Sequence, residues 1–277
     1  MRIATWNVNS LKARLPRVEE WLAKAGPDVL LMQETKLSDD AAPVMAFAMA
    51  GYGLVHHGEG RWNGVAIAAR TGLPIDDMVM NFGDGPVRDS GPGSGLATTP
   101  EEDFDPLDEA RMVSARVGEV RFVSVYAPNG RAPGTPFYAG KLAWFERLHR
   151  WLVEACDPAE DLVLGGDFNV APEDIDVYDP DAFVGQTHVT PAERAALARL
   201  RDWGLVDVVR RFHPEPGFYT WWDYRAGNFH KNLGMRIDHL YVTRSVVERA
   251  VAAERDRDAR KGALPSDHAP IYVDLEG

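Results

Sequence analysis

The stretch Leu162-Val163-Leu164-Gly165-Gly166-Asp167-Phe168-Asn169 decides how the rest of the chain is read: a short apolar strand that stops on a carboxylate and, two residues later, a carboxamide. A short apolar run bounded by turn residues marks a strand, and polar side chains at its end lie on the rim of a sheet, where α/β folds build sites. Five further apolar segments end in the same way, at Trp6-Asn7-Val8-Asn9, Met32-Gln33-Glu34-Thr35-Lys36, Tyr126-Ala127-Pro128-Asn129, Arg236-Ile237-Asp238-His239 and Ser266-Asp267-His268. One such cluster alone is most simply a turn or a helix cap, because Asn, Asp and Ser serve both. Six of one kind point to a shared polar rim.

Between these strands the apolar spacing turns helical. Pro16 suits the first turn of a helix that carries Val18, Trp21, Leu22 and Ala25 on one face. Leu142, Phe145, Leu148 and Leu152 predict a helix over 138–154, and a further helix is expected over 191–203. Strands are expected at 2–8, 28–33, 64–69, 237–242 and 271–275, with a hairpin over 112–126 that turns at Val117-Gly118-Glu119. No internal repeat is visible, and strands and helices interleave throughout. The expected organisation is therefore one layered α/β domain over 1–277.

The 277 residues, 45% hydrophobic and 26% charged, exclude global disorder. The longest near-apolar run, 41–51, is shorter than the roughly 18 residues that a membrane span needs. The opening Met1-Arg2-Ile3-Ala4-Thr5-Trp6-Asn7 alternates like a strand and lacks the continuous apolar core of a signal peptide. Cys156 is the single cysteine, which excludes an internal disulfide and a Cys-based zinc cage, so a reducing cytoplasm is the expected compartment and no disulfide-linked partner is expected. The formal charge of −12 disfavours a polyanionic partner if it is spread evenly, but residues 81–110 hold eight acids and one base, and the remainder carries −5. That window also holds five glycines and four prolines, a composition that cannot bury a core, and is read as an acidic surface insertion.

The chemistry narrows next. No His-x-x-x-His pair and no Gly-x-Ser-x-Gly elbow is present, which argues against a zinc protease and an α/β-hydrolase. The rim instead offers acids, amides, a tyrosine and a histidine. Carboxylate oxygens suit Mg²⁺, a hard cation, while amide and imidazolium donors suit phosphate oxygens that gain charge during transfer. Metal-assisted hydrolysis of a phosphodiester or phosphomonoester is the reading these residues support.

The segments WNVNSLKAR, PDVLLMQETKL, YAPNG, LGGDFNVAPEDIDV, LRDWGLVDVVRR, YTWWDYRAGNF, LGMRIDHLYVT and PSDHAPIYVDL resemble exonuclease III and the class II AP endonucleases of the endonuclease/exonuclease/phosphatase superfamily. WN, QE, GDFN and SDH are shared across that superfamily, whereas ETK, WWDYR and GMRID point to its DNA-repair branch. The resemblance implies a DNase I-like α/β fold, a four-layer sandwich of two mixed β-sheets packed face to face and flanked by helices. It also implies that Glu34 is a Mg²⁺ ligand supported by Asn7 and Asp267, with Mn²⁺ as an accepted substitute. Asp167 is then the general base, and Asn169 and Asn129 hold water and phosphate. Tyr126 donates to the phosphate or, in a rival account, acts as a phenolate. His268 binds the scissile phosphate and Asp238 orients it. Some relatives carry a second metal-side acid where this chain has Asn9, and the amide implies one ion rather than two.

Trp221, Met235 and Ile237 fall where the resembled enzymes build an apolar pocket for an extruded sugar that lacks its base. Lys12, Arg14, Lys36, Arg70, Arg225 and Lys231 are expected to form a phosphate track, with Arg111 as a further DNA contact. The implied activity is incision of duplex DNA 5′ to abasic sites, leaving a 3′-hydroxyl, with 3′ end-cleaning and 3′→5′ exonuclease activity by a monomer on DNA with abasic sites or blocked 3′ ends. The alternative is a superfamily phosphatase or phospholipase on an inositol or sphingolipid phosphate. A catalytically dead binding module would be expected to lose one of Glu34, Asp167, Asp238 or His268, and all four are present.

Overall fold

The computed structural model describes residues 1–83 and 106–276. In chain order the strands and main helices are β1 (Arg2–Asn7), α1 (Leu11–Ala25), β2 (Val29–Gln33), α2 (Val44–Met49), β3 (Tyr52–His57), β4 (Val65–Arg70), β5 (Ile75–Met80), β6 (Met112–Val117), β7 (Val120–Tyr126), α3 (Pro136–Ala155), β8 (Leu162–Asp167), α4 (Pro191–Trp203), β9 (Val206–Asp207), β10 (Asp238–Val242), β11 (Ala250–Arg255) and β12 (Ile271–Leu275). The strands form two six-stranded sheets, ordered β11-β12-β1-β2-β4-β3 and β5-β6-β7-β8-β10-β9. Each is mixed, with one parallel pair at its centre, β1 with β2 and β7 with β8.

Alternation along the strands builds the layers, since successive side chains face opposite sides of a sheet. Ile3, Val29, Leu31 and Ile67 of the first sheet meet Val113, Phe122, Val163 and Leu240 of the second in the core between them. The intervening residues Ala4, Trp6, Leu30 and Met32 face outward and pack on Val18, Trp21 and Leu22 of α1. On the other side Val123, Leu164 and Tyr241 receive Trp144, Phe145 and Leu148 of α3 and Leu197 and Leu200 of α4. The result is helix, sheet, sheet, helix. Each fully buried large apolar side chain contributes roughly 1.5–3 kcal/mol.

The glycines before Asp167 are required by this packing. A Cβ on Gly165 would lie 2.7 Å from Leu240 Cδ2 and 2.8 Å from Leu31 Cδ1, and one on Gly166 would collide with the Val125 carbonyl. The sheets approach closely just where the catalytic strand ends.

Helix α1 begins at Leu11, which puts Pro16 in its second turn rather than its first, because Ser10 caps it by accepting from the Ala13 amide. Pro16 is accommodated inside that helix on its exposed face. Strands β3, β5, β9 and β11 were not expected. All four are sheet edges, and the exposed pattern of β5 shows why alternation did not mark them. At the borders of the expected insertion, Asn81, Phe82 and Ala110 are buried, and Phe82 packs 5.9 Å from Trp144. These residues belong to the fold. Residues 84–105 of that insertion lie outside the described residues.

Candidate active site

The register brings the strand ends together. Parallel pairing sets Tyr126 beside Asp167, antiparallel pairing sets Asp238 on the other side of Asp167, and in the facing sheet Asn7 lies beside Gln33, one residue before Glu34. The segment 266–268 is tied to the same rim: Ser266 Oγ donates to Asn7 O at 2.7 Å and Trp6 Nε1 to His268 O at 3.2 Å.

One amide joins the two sheets. Asn7 Nδ2 donates to Glu34 Oε1 and to Asp167 Oδ2, each at 2.8 Å, while its Oδ1 accepts from the Asn9 amide at 3.0 Å. Glu34, Asp167 and His268 each offer a ligand atom, and these atoms lie within 4.8 Å of one another. The two carboxylates suit a divalent cation, and their oxygens favour a hard one. Asp267 lines the same cavity as Glu34, where Oδ1 accepts from Asn9 Nδ2 at 2.8 Å and Oδ2 from Trp221 Nε1 at 3.1 Å. These two bonds, with His268 nearby, lower its pKa against the opposing effect of burial.

His268 and Asp238 form a buried pair, with Nδ1 at 2.8 Å from Asp238 Oδ2. Burial alone would lower the histidine pKa, but Asp238 and then Asp167, 3.8 Å from Nε2, more than offset it and hold the ring at about 10. At neutral pH His268 is therefore an imidazolium, with Nε2–H directed toward the cavity side of Asp167. Burial pushes Asp167 in the opposite sense for an acid, up to about 7, against the pull of His268. A carboxylate poised near neutrality suits a general base. Burial, then the charge of Glu34, keeps the Tyr126 hydroxyl well above its ordinary pKa, which supports a proton donor over a phenolate.

The amides follow. Asn169 Nδ2 donates to Ala127 O at 3.0 Å, and Asn129 Nδ2 donates to Asn169 Oδ1 at 3.3 Å. Glu34, Asn129, Asn169, Tyr126, Asp167 and His268 open on one cavity of about 210 Å³, whose apolar wall is Trp221, Met235 and Ile237. Bridges from Trp221 to both Met235 and His268 tie that wall to the polar rim.

The expected phosphate track divides. Lys36 enters the site itself, where Nζ lies 2.9 Å from Glu34 Oε2 and 2.6 Å from Asn9 Oδ1. Glu34 and Lys36 both have φ near +52°, and the left-handed bends at these two residues turn both side chains to the same rim. Lys12, Arg225 and Lys231 are exposed, Arg225 being paired with Asp223. Arg14 donates to Tyr224 Oη at 3.2 Å, beside the WWDYR segment. Arg70 is a correction: β4 runs antiparallel to β2, so Arg70 lies at the opposite end of the strands from the rim, where it binds Asp28 and the Gly26 carbonyl. Arg111 is a second correction. It is buried, pairs with Glu109 at 2.6 Å and lies 4.9 Å over the Tyr126 ring, so it supports the tyrosine from within the fold.

His188 is the lining residue that sequence reasoning missed. It follows α3 and β8 in an irregular segment, Nδ1 lies 2.5 Å from Asn169 O, and its ring lines the cavity. Burial, then Lys141, lowers its pKa to about 4, so it is neutral and donates from Nδ1. Its φ of +79° is natural to glycine, and no local sequence signal announces such a position.

The chain matches the Endonuclease/Exonuclease/phosphatase family over residues 4–268. It is 30% identical over 285 residues to exodeoxyribonuclease III of Haemophilus influenzae, with 100% of both chains covered. The structure of an AP endonuclease from Archaeoglobus fulgidus superimposes with a TM-score of 0.89 at 34% identity, covering 100% of both chains. The 3′-5′ exonuclease NExo from Neisseria meningitidis gives a TM-score of 0.87 at 37% identity with the same coverage, and NExo is also known as a 3′ phosphatase bound to product DNA hairpin. With the two facing mixed sheets of the DNase I-like fold and a polar rim at their strand ends, the chain belongs to the Endonuclease/Exonuclease/phosphatase family as a hydrolase of its exonuclease III and AP endonuclease branch.

Proposed function

We propose that the chain is a divalent-metal-dependent DNA phosphoesterase that breaks the bond between phosphorus and O3′, incising 5′ to abasic sites and clearing blocked 3′ ends. The observation that carries this reading is the joining of two walls in one cavity, a charged rim of Glu34, Asp167 and His268 and an apolar face of Trp221, Met235 and Ile237. A bare deoxyribose can lie against that face while its phosphate meets the rim.

Glu34 would hold the cation, Mg²⁺ by the hardness of its oxygens, which when bound draws charge from the phosphate, and Asp167 beside it is left to act as base. Asp167 takes the proton of the attacking water. His268 donates Nε2–H to a phosphate oxygen, with Asp238 keeping the proton on Nδ1. The amides of Asn129 and Asn169 and the Tyr126 hydroxyl supply neutral donors to the charge that develops. In abasic incision, phosphate removal and exonucleolysis alike, the leaving oxygen is O3′ and the product ends in a 3′-hydroxyl.

A second reading makes terminal 3′ phosphates the main substrates and abasic incision minor. His188 bears on it, since its ring lines the same cavity as Trp221, Met235 and Ile237 and stands on a backbone at φ +79°. The relatives include both an AP endonuclease and a 3′ phosphatase. Two 5′-labelled duplexes, one with an internal tetrahydrofuran residue and one with a 3′-phosphate, decide between them with wild type and His188→Gly. The exchange relieves the backbone and empties the space, so under the second reading it raises tetrahydrofuran incision at least about tenfold relative to phosphate removal. Equal wild-type rates on both duplexes would favour the first reading, and no cleavage of either with Mg²⁺ would refute both.

A further inference from the structure

A buried ion pair lies directly behind the two amides of the site. Lys141 on α3 and Glu193 on α4 are both wholly buried, with Nζ 2.5 Å from Glu193 Oε1. Nζ also donates to Asn129 O at 3.1 Å and to Asn169 O at 2.7 Å, so its three N–H groups meet three acceptors. Glu193 is held in turn: Oε1 accepts from the His188 amide and Oε2 from the Thr190 amide, each at 3.0 Å. The Asn169 carbonyl receives a second donor, His188 Nδ1. Beside Asn129 the chain has Gly130 at φ +85°, where a Cβ would come within 2.8 Å of Lys141 Cδ, so the turn is shaped around the lysine stem.

Stability does not explain such a pair. Taking two charges out of water is costly, and apolar replacements of similar volume are often as stable or more so. An apolar side chain, however, cannot hold two carbonyls from different segments at fixed positions. The carbonyls held here are those of Asn129 and Asn169, whose side-chain amides are themselves linked.

We propose that Lys141 and Glu193 are positioning residues for hydrolysis: the pair fixes the main chain of Asn129 and Asn169 so that their amides are pre-set against the phosphate, and sets His188 at the cavity wall. This rests on the function proposed above. Neither residue touches the cavity, so the effect passes through the two asparagines.

The test exchanges both charges together, Lys141→Met with Glu193→Gln, because one exchange alone strands a buried charge, and Gln keeps one oxygen for one of the two amides that Glu193 Oε1 and Oε2 now accept separately. The expected protein keeps a wild-type far-ultraviolet spectrum and a cooperative melt. Its kcat for removal of a 3′-phosphate at saturating Mg²⁺ falls at least about tenfold, while KM for DNA and the half-saturating Mg²⁺ concentration move less than about threefold. In a background with Asn129→Ala and Asn169→Ala the same double exchange costs less than about threefold, because both target amides are gone. A folded double variant with kcat within about twofold of wild type overturns the proposal, as does an undiminished loss in that background. A structure-only readout separates this from the functional reading: the ¹⁵N side-chain amide resonances of Asn129 and Asn169 should shift in the double variant even if wild type hydrolyses no DNA ester, and unchanged resonances refute positioning. Should that variant fail to fold, Lys141→Gln with Glu193→Gln, which likewise leaves no unpaired buried charge, is read by the same two resonances, with the same expected and contrary results.

Discussion

Exchange of Asp238 for Asn tests the electrostatics of the site with little change of shape. The carboxamide oxygen can still accept from His268 Nδ1, now 2.8 Å from Asp238 Oδ2, so the ring keeps its orientation and loses only the charge beside it. Raising a histidine from its ordinary value to about 10 corresponds to roughly 5 kcal/mol of preference for the imidazolium. Asp238 is the largest of the contributions that raise it, and the burial that opposes them remains after the exchange. The ring should then titrate at about 7 or below. Carbon-bound ring protons of His268, followed by NMR in the metal-free protein, should titrate above about pH 9 in wild type and near or below neutrality in the variant. Rates carry the same signature: at about pH 8.5 only a few per cent of variant rings would be charged, so turnover should fall roughly 30-fold or more, against a few-fold at about pH 6. A wild-type His268 that titrates near 6.5, or a rate deficit equal at both pH values, would refute the reasoning.

Four further perturbations follow from the same geometry. His268 stabilises the fold fully below about 6.5 and loses that contribution as pH rises to about 10, and Asp167, raised to about 7, favours folding only while protonated, so the metal-free protein should be less stable in denaturant at about pH 9 than at about pH 6. Asp167→Asn should accordingly raise metal-free stability by about 1–3 kcal/mol while turnover falls on the order of 10²–10⁴; loss of both would count against the base assignment. Lys36→Met should free Glu34 Oε2 and lower the half-saturating Mg²⁺ concentration several-fold, while weakening duplex binding and reducing its salt slope by about 1; weaker Mg²⁺ binding would contradict the ion pair as drawn. Arg70→Ala should cost about 1 kcal/mol of stability by releasing Asp28 and the Gly26 carbonyl, and leave duplex affinity and its salt slope unchanged, with any change of slope placing Arg70 back near DNA.

The rim was legible because its residues flank apolar strands, although only four of the six clusters follow a strand: Asp238 opens β10, which runs antiparallel to β8, and Asp267 and His268 lie in the loop before β12. Central strands announce themselves by burial on both faces, as β8 does from Leu162 to Asp167, whereas the edge strands β3, β5, β9 and β11 carry mixed or exposed patterns that read as loop. The start of α1 was misplaced because Pro16 resembles a first-turn proline, while the cap that acts is Ser10. Cations were the hardest to place. Lys36, Arg70 and Arg111 look alike in sequence, yet strand direction and the bend at Glu34 send one into the site, one to the far end of the strands and one beneath Tyr126. The support around Asn169 was invisible for a similar reason, since Lys141 and Glu193 sit at helical positions that read as surface charge until α3 and α4 pack together.

The central claim is that Glu34, Asp167 and His268 form a metal-dependent centre for hydrolysis at the O3′ side of a DNA phosphate. Its most direct test is one time course on 5′-labelled duplexes bearing a tetrahydrofuran residue or a 3′-phosphate, with Mg²⁺ or with excess EDTA, for wild type and Glu34→Gln. The account predicts cleavage only with Mg²⁺, a product whose 3′-hydroxyl a polymerase extends, and a Glu34→Gln variant that needs at least about tenfold more Mg²⁺ for half its activity. Cleavage that persists in EDTA, an unextendable product or an unchanged Mg²⁺ requirement would contradict it.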